Sequence, residues 1–355
     1  MNLDITNLEA TNLEATNLEA TNLEATNLEA TNLIAALKNY IAEDKEIPDN
    51  ILLSIYDCSK SELLAVFSIA LELKEKWTGN KINFCSIVSA KTGLCSEDCA
   101  FCGQSSKIPK IDKKINKLLS VNELVDAART AKENGANEFS IVTSGTSVSD
   151  KKELYIIAEA IKTIKNDIGI TACASLGLMQ KEDLEYLKSN GLEIFHHNIE
   201  TSKDFFNNIC TTHSYENNIE TINKAKKANL KVCSGVIIGM GESRLDRIKM
   251  AKQLKELDVD NIPINFLNPI KGTPLENIDE LTPMECLKTI SIFRLINQSK
   301  NILAQGGREL NLRQLQPFAL MAGANGFLLG NYLVTSGRST ELDVELINDL
   351  GFEAL

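Results

Sequence analysis

Eight short strand-like runs alternate with helical segments from about residue 81 to the end of the chain. In chain order the runs are INFCSIVS, NEFSIVT, ITACASL, EIFHHNI, KVCSGVII, NIPINF, NILAQ and GFLLG. Such alternation is typical of parallel βα units, and a closed (β/α)8 TIM-type barrel is their most economical arrangement. We favour this α/β barrel over an open doubly wound sheet because no dinucleotide fingerprint follows the first strand.

Two further segments precede the predicted barrel. Residues 6–30 are five exact copies of TNLEA, and a period of five fits neither a helix nor a strand. We expect residues 1–33 to be a disordered extension rather than a stacked β-helix, because so short a run offers few neighbours to stack. Residues 34–80 show the three- and four-residue apolar spacing of helices, so we predict an N-terminal helical extension there and the barrel over residues 81–355.

Composition narrows the function classes. The formal net charge of −11 argues against a protein whose main task is binding nucleic-acid phosphates. No apolar run approaches the roughly 18–20 residues that a membrane span needs, and no signal-peptide pattern opens the chain. We therefore expect a cytoplasmic protein without a nucleic-acid or membrane partner. In that compartment the nine cysteines are interpreted as metal ligands or catalytic thiols before disulfides.

Three of these cysteines lie within eight residues, in the loop after the first predicted strand. The stretch KTGLCSEDCAFCGQSS contains Cys95, Cys99 and Cys102 at C-x3-C-x2-C spacing. A structural zinc site or a ferredoxin-type cluster needs four protein ligands. Three thiolates instead hold three irons of a 4Fe–4S cube and leave the fourth iron open to a substrate.

This loop resembles that of the radical S-adenosylmethionine (SAM) enzymes, in its spacing, in Phe101 before the last cysteine and in its place after a strand. The resemblance implies that Cys95, Cys99 and Cys102 are catalytic ligands of a 4Fe–4S cluster whose open iron binds SAM. One electron then cleaves SAM to methionine and a 5′-deoxyadenosyl radical, which abstracts hydrogen from an unactivated carbon.

A second motif fits the same superfamily. KVCSGVIIGMGES contains Gly235, Ile237, Gly239 and Glu242 in the pattern GxIxGxxE, at the end of the fifth predicted strand. The resemblance implies that this backbone lies against the adenine of SAM, where glycine permits a close approach. The resemblance therefore implies four SAM-binding positions in all: Phe101, Gly235, Ile237 and Gly239. Without the resemblance, the motif is also that of an ordinary strand-to-helix turn.

Longer stretches are similar to one branch of the superfamily, the biotin synthases. They are KTGLCSEDCAFCGQSS, FHHNIETS, VCSGVIIGMGE, PINFLNPIKGTPL and FALMAGANGFLLGN, and the similarity runs from about residue 33 to the C-terminus. It implies conversion of dethiobiotin to biotin by sulfur insertion between two unactivated carbons, with one SAM used for each C–H bond. It also implies a low-potential electron donor of flavodoxin or ferredoxin type and a homodimer.

The same resemblance implies that the sulfur comes from an auxiliary iron–sulfur cluster deep in the barrel. Cys173 and Cys233 match two of its ligands, but Ser140 and Leu303 stand where the common form has a Cys and an Arg. These departures put the usual two-iron cluster in doubt. Cys85 on the first strand is the expected substitute, because inward positions of a barrel fall in layers contributed by alternate strands. Three thiolates in one layer suit a four-iron cluster with an open iron; alternatively, Cys85 is only a small buried residue.

Other contacts follow from the resemblance at strand ends. Asn198 matches a residue that contacts both SAM and dethiobiotin, and Asn265 matches a contact to the ureido ring of the substrate. Glu200 stands where an Asp usually binds the SAM ribose, and the longer carboxylate still accepts from both hydroxyls. Polar residues at these positions also commonly cap the following helix.

The remaining histidines and cysteines receive weaker interpretations. His197 matches a family histidine, His196 is interpreted as structural, and His213 has no assigned role. An Arg that helps to anchor the SAM carboxylate in the family falls at Asn218. Cys58, Cys210 and Cys286 have no partners at metal spacing and are interpreted as structural.

Three alternatives stay open. Radical SAM enzymes of hydrogenase-maturation or methylornithine synthase type share the cysteine loop but, as a rule, lack cysteines on both the third and fifth strands. A tRNA methylthiolation enzyme also carries two clusters, but the acidic charge and the lack of a basic appended domain disfavour it. An iron–sulfur electron carrier is the non-enzymatic alternative, and it needs neither an open iron nor a 270-residue barrel.

Overall fold

The computed structural model describes residues 33–108, 115–279, 281–333 and 337–355, so the TNLEA repeat and its predicted disorder lie outside the described residues. The chain divides into two compact units, residues 1–66 and residues 67–355. The first unit contains helices α1 (Leu33–Ala42) and α2 (Asp49–Asp57) and the start of α3 (Lys60–Thr78). These helices confirm the helical pattern predicted ahead of the barrel.

The second unit is a closed parallel barrel. Its strands are β1 (Lys81–Lys91), β2 (Glu138–Thr143), β3 (Thr171–Ser175), β4 (Ile194–His196), β5 (Lys231–Cys233), β6 (Val236–Ile238), β7 (Asn261–Phe266), β8 (Asn301–Ala304), β9 (Gly326–Leu328) and β10 (Glu353–Ala354). Neighbours follow chain order from β1 to β5 and then β7 to β9, and β9 pairs with β1. The predicted fifth strand is split, since β6 continues β5 and pairs with β7. Strand β10 pairs with the start of β1 outside the ring, and with β5 and β6 counted as one strand, eight strands close the ring and confirm the predicted barrel.

Helices follow the strands as the alternating pattern predicts. They are α4 (Val121–Glu133), α5 (Lys151–Thr163), α6 (Lys181–Ser189), α7 (Tyr215–Lys227), α8 (Arg244–Glu256), α9 (Pro283–Ile296), α10 (Arg308–Leu312), α11 (Pro317–Met321) and α12 (Thr340–Asp349). Helix α4 begins with a capping box, in which Ser120 and Glu123 each accept a backbone N–H of the other. At α9, Thr282 caps the first turn, but the Glu285 carboxylate binds Arg247 at 3.0 Å instead of completing a box.

Inward-facing side chains of the barrel form three levels. A cavity of about 510 Å3 at the N-terminal ends of the strands is lined by Asn83, Glu138, Thr171, Lys231, Asn261 and Asn301, among others. A pocket of about 300 Å3 at the C-terminal ends is lined by Ile87, Val142, Ser175, Ile237, Asn265 and Gln305, among others. Because strand side chains alternate, the residues between these two sets also face inward. They include Cys85, Ser140, Cys173, Cys233 and Leu303, as the layer argument predicts.

A belt of hydrogen-bonded amides lies across the barrel at the N-terminal ends of the strands, which we call the lower level. In one arm, Asn325 donates to Asn301 (2.8 Å), Asn301 donates to Asn261 (2.8 Å) and Asn261 donates to Glu138 (3.4 Å). In the other arm, Asn137 donates to Asn83 (2.8 Å) and Asn83 donates to Glu138 (2.7 Å). Both arms of this amide belt therefore donate towards the Glu138 carboxylate. Buried amides are tolerated at such a position because each one is paired.

We predict that Asn325→Ala lowers the free energy of unfolding by about 2–4 kcal/mol, because it leaves two buried donors without an acceptor. Those donors are Arg294 Nη2, at 2.9 Å, and the backbone N–H of Ile302, at 2.7 Å. Urea unfolding followed by circular dichroism measures the change. Asn207→Ala, at an exposed position, is the control and should change stability by less than about 0.5 kcal/mol. Equal effects of the two substitutions would contradict the prediction.

Candidate functional site

The cysteine loop lies at the C-terminal mouth of the barrel and folds back on itself. The backbone N–H of Cys95 donates to Gln104 O (3.1 Å), that of Ser106 donates to Cys95 O (2.7 Å), and that of Cys102 donates to Cys99 O (2.9 Å). These bonds turn the three predicted ligands towards one pocket of about 240 Å3. The structure therefore brings Cys95, Cys99 and Cys102 together, as their spacing predicts.

Burial and neighbouring groups disfavour the ionisation of two of these thiols. Burial raises the pKa of Cys102 to about 11, and the charge of Cys95 adds to the rise. A hydrogen bond to Cys210 and burial raise the pKa of Cys99, and the charge of Cys102 contributes. Thiols that oppose one another's ionisation need a cationic partner to become thiolates. Three thiol donors on one loop fit the cluster that the sequence predicts.

The opposite wall of the pocket continues from β4. Asn198 Oδ1 accepts the backbone N–H of Gly235 (3.0 Å) and lies 2.8 Å from His196 Nε2. Its Nδ2 donates to Glu200 Oε2 at 3.4 Å. Glu200 has a φ of 64°, in the left-handed region that costs a non-glycine residue free energy, and such strain is concentrated at functional sites. Burial raises the pKa of Glu200 to about 7, against the lowering effect of the Asn198 hydrogen bond.

The two histidines after β4 have different partners. Burial lowers the pKa of His196, so the neutral ring donates from Nε2 to Asn198 and orients its amide. His196 is thus more than the structural residue that we expected, because it lines the pocket and holds one of its walls. Burial also lowers the pKa of His197 to about 4, and its Nε2 lies 3.0 Å from Asn218 Oδ1. Asn218, where the family has an Arg, therefore supports the His197 ring.

The glycine motif forms the turn after β6. At Gly235 a Cβ would lie 1.8 Å from the carbonyl oxygen of Pro263, so this glycine is required by packing against β7. Gly239 has a φ of 95°, and its N–H donates to Glu242 Oε1 at 2.8 Å. Glu242 also binds Arg247 at 2.7 Å, so it holds the turn in place. The glycines therefore have structural reasons of their own, besides the implied approach of adenine.

Three other predicted contact residues meet at the mouth. Phe101, Ile237 and Asn265 line the 300 Å3 pocket beside Cys102. The Asn265 side chain donates to Val236 O (3.2 Å) and accepts the N–H of Gly306 (3.0 Å). An amide has two N–H groups and two lone pairs, so these bonds fix its orientation and use only half of its capacity.

The middle level of the barrel brings the deep cysteines together. Cys85, Cys173 and Cys233 are 8%, 4% and 7% exposed. Burial raises the pKa of each thiol well above its ordinary range, and the charge of Glu138 raises it further. Cys173 and Cys233 belong to one buried cluster with Ile194, and Cys85 faces the same interior from β1.

Ser140 and Leu303 complete this level. The Ser140 hydroxyl is buried and has no hydrogen-bond partner among the residues that the structure describes. Leu303 is 1% exposed and offers no donor atom. An unpaired hydroxyl beside three buried thiols indicates a polar or ionic occupant, since buried polar groups are normally paired. This donor set fits an iron–sulfur cluster held by three thiolates.

Two residues that sequence reasoning left aside join the mouth site. Cys210 Sγ lies 3.8 Å from Cys99 Sγ, although 111 residues separate them, and 3.3 Å from His213 Nδ1. His213 Nδ1 also lies 2.6 Å from Glu97 Oε2. The interpretation of Cys210 as a structural residue without partners is therefore wrong. The available signal was the CTTH stretch, but only the fold shows which thiol it faces.

The other two cysteines interpreted as structural make ordinary contacts. Cys58 donates to Ile55 O at 3.1 Å, within the first unit, and Cys286 is fully buried in α9.

In the described part of the chain, no helix combines the length and the apolar character needed to cross a membrane.

Comparisons with known proteins agree with this site. A model of the radical SAM superfamily matches residues 90–266, and a model of the biotin and thiamin synthesis associated domain matches residues 263–353. The chain is 46% identical to a biotin synthase of Geotalea uraniireducens, over 90% of this chain and 97% of the relative. It is 42% identical to a biotin synthase of Carboxydothermus hydrogenoformans, over 90% and 98%. The chain is thus a radical SAM enzyme.

More particularly, the chain belongs to the biotin synthase family, whose members use a 4Fe–4S cluster with SAM. Solved structures agree on the fold. Methylornithine synthase superposes with a TM-score of 0.77 at 21% identity, covering 90% of this chain and 97% of that one. A hydrogenase maturase of Carboxydothermus hydrogenoformans gives 0.78 at 16%, covering 99% and 85%.

We predict that Gly235→Ala destabilises the chain by about 3 kcal/mol or more, because the added methyl group overlaps a backbone oxygen of β7. Gly79→Ala is the matched control, since its Cβ would meet nothing within 4 Å and only its φ of 69° is unfavourable. We expect the control to cost about 1–2 kcal/mol. Thermal unfolding of both variants tests this, and a Gly235→Ala variant as stable as the control would refute it.

Proposed function

We propose that this chain converts dethiobiotin to biotin by inserting one sulfur atom between two unactivated carbons. Family membership supports the reaction class. The observation that carries the proposal is a pair of thiol sets at two depths of one barrel. The mouth set is Cys95, Cys99 and Cys102, and the deep set is Cys85, Cys173 and Cys233.

The mouth thiols are the proposed ligands of a 4Fe–4S cluster. Cys95, Cys99 and Cys102 would hold this cluster, which would supply the electron for reductive cleavage of SAM and hence the radical chemistry that removes hydrogen from the substrate. The protein around it orients SAM and excludes water. A partly enclosed pocket serves that purpose because its walls limit the side partners of a reactive radical.

The pocket walls provide the proposed SAM contacts. Glu200 accepts from the ribose hydroxyls, and Asn198 positions it through the 3.4 Å hydrogen bond between the two side chains. His196 and the Gly235 N–H hold Asn198 in turn. The backbone around Ile237 and Gly239 lies against adenine in this proposal, while Phe101 covers the pocket from the cysteine loop.

Asn265 is the proposed contact to the ureido ring of dethiobiotin. Its amide is fixed between β6 and the residue Gly306, so the remaining N–H and lone pair are presented in one orientation. A ureido group offers both a carbonyl acceptor and N–H donors, which complement an amide. Asn198 is the second proposed substrate contact, shared with SAM.

The deep thiols are the proposed ligands of the auxiliary cluster, which serves as the sulfur substrate. We infer a four-iron cluster with one open iron, because three buried thiols share one level of the barrel and Leu303 on that level contributes no ligand. The unpaired Ser140 hydroxyl faces the same level and supports a polar occupant. The proposal extends to a flavodoxin- or ferredoxin-type electron donor, a homodimer and a cytoplasmic location.

An anaerobic single-turnover assay tests the function. The reconstituted protein is stripped of free sulfide and given SAM, a low-potential reductant and dethiobiotin, and the products are measured by mass spectrometry. We expect biotin and 5′-deoxyadenosine without added sulfide. Deoxyadenosine without biotin would support the mouth site but overturn the proposed substrate. Biotin that forms only with added sulfide would overturn the protein's own cluster as the sulfur source.

The deep ligand set has its own test. We expect Cys85→Ala to lose the iron and sulfide of the auxiliary cluster and to retain those of the mouth cluster, as measured by iron content and Mössbauer spectra. Cys286→Ala removes an equally buried thiol from α9 and should keep both clusters. Full iron content in Cys85→Ala would exclude Cys85 as a ligand.

A further inference from the structure

A second donor set lies at the edge of the mouth site. One ligand atom each of Cys99, Cys210 and His213 lies within 4.8 Å of the other two. Zinc–thiolate bonds are about 2.3 Å long, so two thiolates on one tetrahedral ion stand about 3.8 Å apart. The observed separation of Cys99 Sγ and Cys210 Sγ is 3.8 Å. This spacing matches two ligands of a single ion.

We propose that Cys99, Cys210 and His213 form a binding site for one thiophilic divalent metal ion, of which zinc is the type. The set contains two sulfur atoms and one imidazole, which are the ligands that such ions prefer. His213 Nδ1 lies 3.3 Å from Cys210 Sγ, so the imidazole faces the same point as the thiols.

The fold holds these residues together through contacts that do not involve the thiols. The N–H of Ala100, next to Cys99, donates to Ile209 O at 2.8 Å. Asp98 Oδ1 accepts the N–H of Thr211 at 2.9 Å. The two residues that flank Cys99 are therefore tied to the segment that carries Cys210. These backbone hydrogen bonds hold the thiols of Cys99 and Cys210 opposite each other.

Glu97 supports the imidazole. Its Oε2 lies 2.6 Å from His213 Nδ1 and accepts the Thr212 hydroxyl at 2.6 Å. This hydrogen bond uses the same ring nitrogen that lies 3.3 Å from Cys210 Sγ, so a metal ion on Nδ1 would replace it. When a metal takes Nδ1, the same carboxylate is the nearest group for the fourth position. The Phe206 ring also packs edge-on to His213, with 5.6 Å between ring centroids.

The site is shielded but reachable. Cys210 is 3% exposed, whereas Cys99, His213 and Glu97 line the 240 Å3 pocket at the barrel mouth. An ion can therefore enter through the pocket and be held away from bulk water. Burial of this kind favours metal binding over bare thiolates, because the ion's charge compensates for the desolvation of the sulfurs.

Sharing of Cys99 has a consequence for the neighbouring site. A thiolate bound to a single ion is not free to ligate the cluster, so the two occupants exclude each other. This exclusion rests on the proposed cluster role of Cys99, whereas the single-ion site does not. The structure thus assigns to Cys210 and His213 a metal-dependent control over cluster assembly.

Cobalt(II) is the probe, added anaerobically to the full chain after its iron has been removed. We expect thiolate-to-cobalt charge-transfer bands and tetrahedral visible bands in the wild type. Cys210→Ser and His213→Gln should each weaken cobalt binding by at least about tenfold, since even the loss of an outer-shell partner costs 10–100-fold. Cys286→Ser is the control and should leave the spectrum unchanged. Circular dichroism verifies that each variant is folded.

A double variant separates this site from the cysteine loop acting alone. Cys95→Ser with Cys102→Ser should retain the cobalt signal, because neither residue belongs to the proposed site. If the double variant loses the signal while Cys210→Ser keeps it, the loop cysteines alone bind the metal and the proposal is wrong. A wild type without thiolate-to-cobalt bands would overturn it equally.

Iron incorporation completes the test. Zinc added before reconstitution should slow cluster assembly in the wild type and have less effect on Cys210→Ser. Without zinc, Cys210→Ser should assemble the mouth cluster normally, whereas Cys95→Ser should not. Failure of assembly in every chain would count against the proposed cluster site. Equal zinc inhibition of wild type and Cys210→Ser would count against control by the single-ion site.

Discussion

The hydrogen bonds that pair β9 with β1 close the sheet, and the rest of the structure depends on this closure. A closed parallel sheet has one interior, so alternate residues of every strand must share it. The side chain of Cys85 then faces the same interior as those of Cys173 and Cys233, which come from strands far apart in sequence. In an open sheet these three side chains would lie along a face, and no enclosed layer would separate the mouth from the amide belt.

Depth within this interior distinguishes the two thiol sets. The mouth cysteines lie on a loop that lines an open pocket, so small molecules reach them directly. The deep cysteines lie on the strands themselves and are almost fully buried. Burial penalises the thiolates of Cys99, Cys102 and the deep cysteines, and a metal cluster relieves that penalty. The same fold therefore provides one exchangeable site and one enclosed site.

Much of this arrangement could be predicted from sequence, because its signals are local. The period of the strands, the spacing of the cysteine loop and the inward parity of Cys85 each depend on neighbouring residues. Contacts between distant segments could not be predicted, as Cys210 facing Cys99 shows. The need for glycine at position 235 was likewise hidden, since it arises from Pro263 on another strand. His196 was undervalued because its effect on Asn198 depends on burial.

The amide belt has a consequence for how the barrel is assembled. Side chains in a strand alternate between two faces, so a slip of one residue turns an inward residue outward. If β8 shifted in this way, Asn261 Oδ1 and Asn325 Nδ2 would both lose their hydrogen bonds to Asn301. Apolar residues tolerate such an error better, because many of them are interchangeable in shape. The hydrogen bonds between the asparagines therefore favour one strand register over the alternatives in a barrel of eight similar strands.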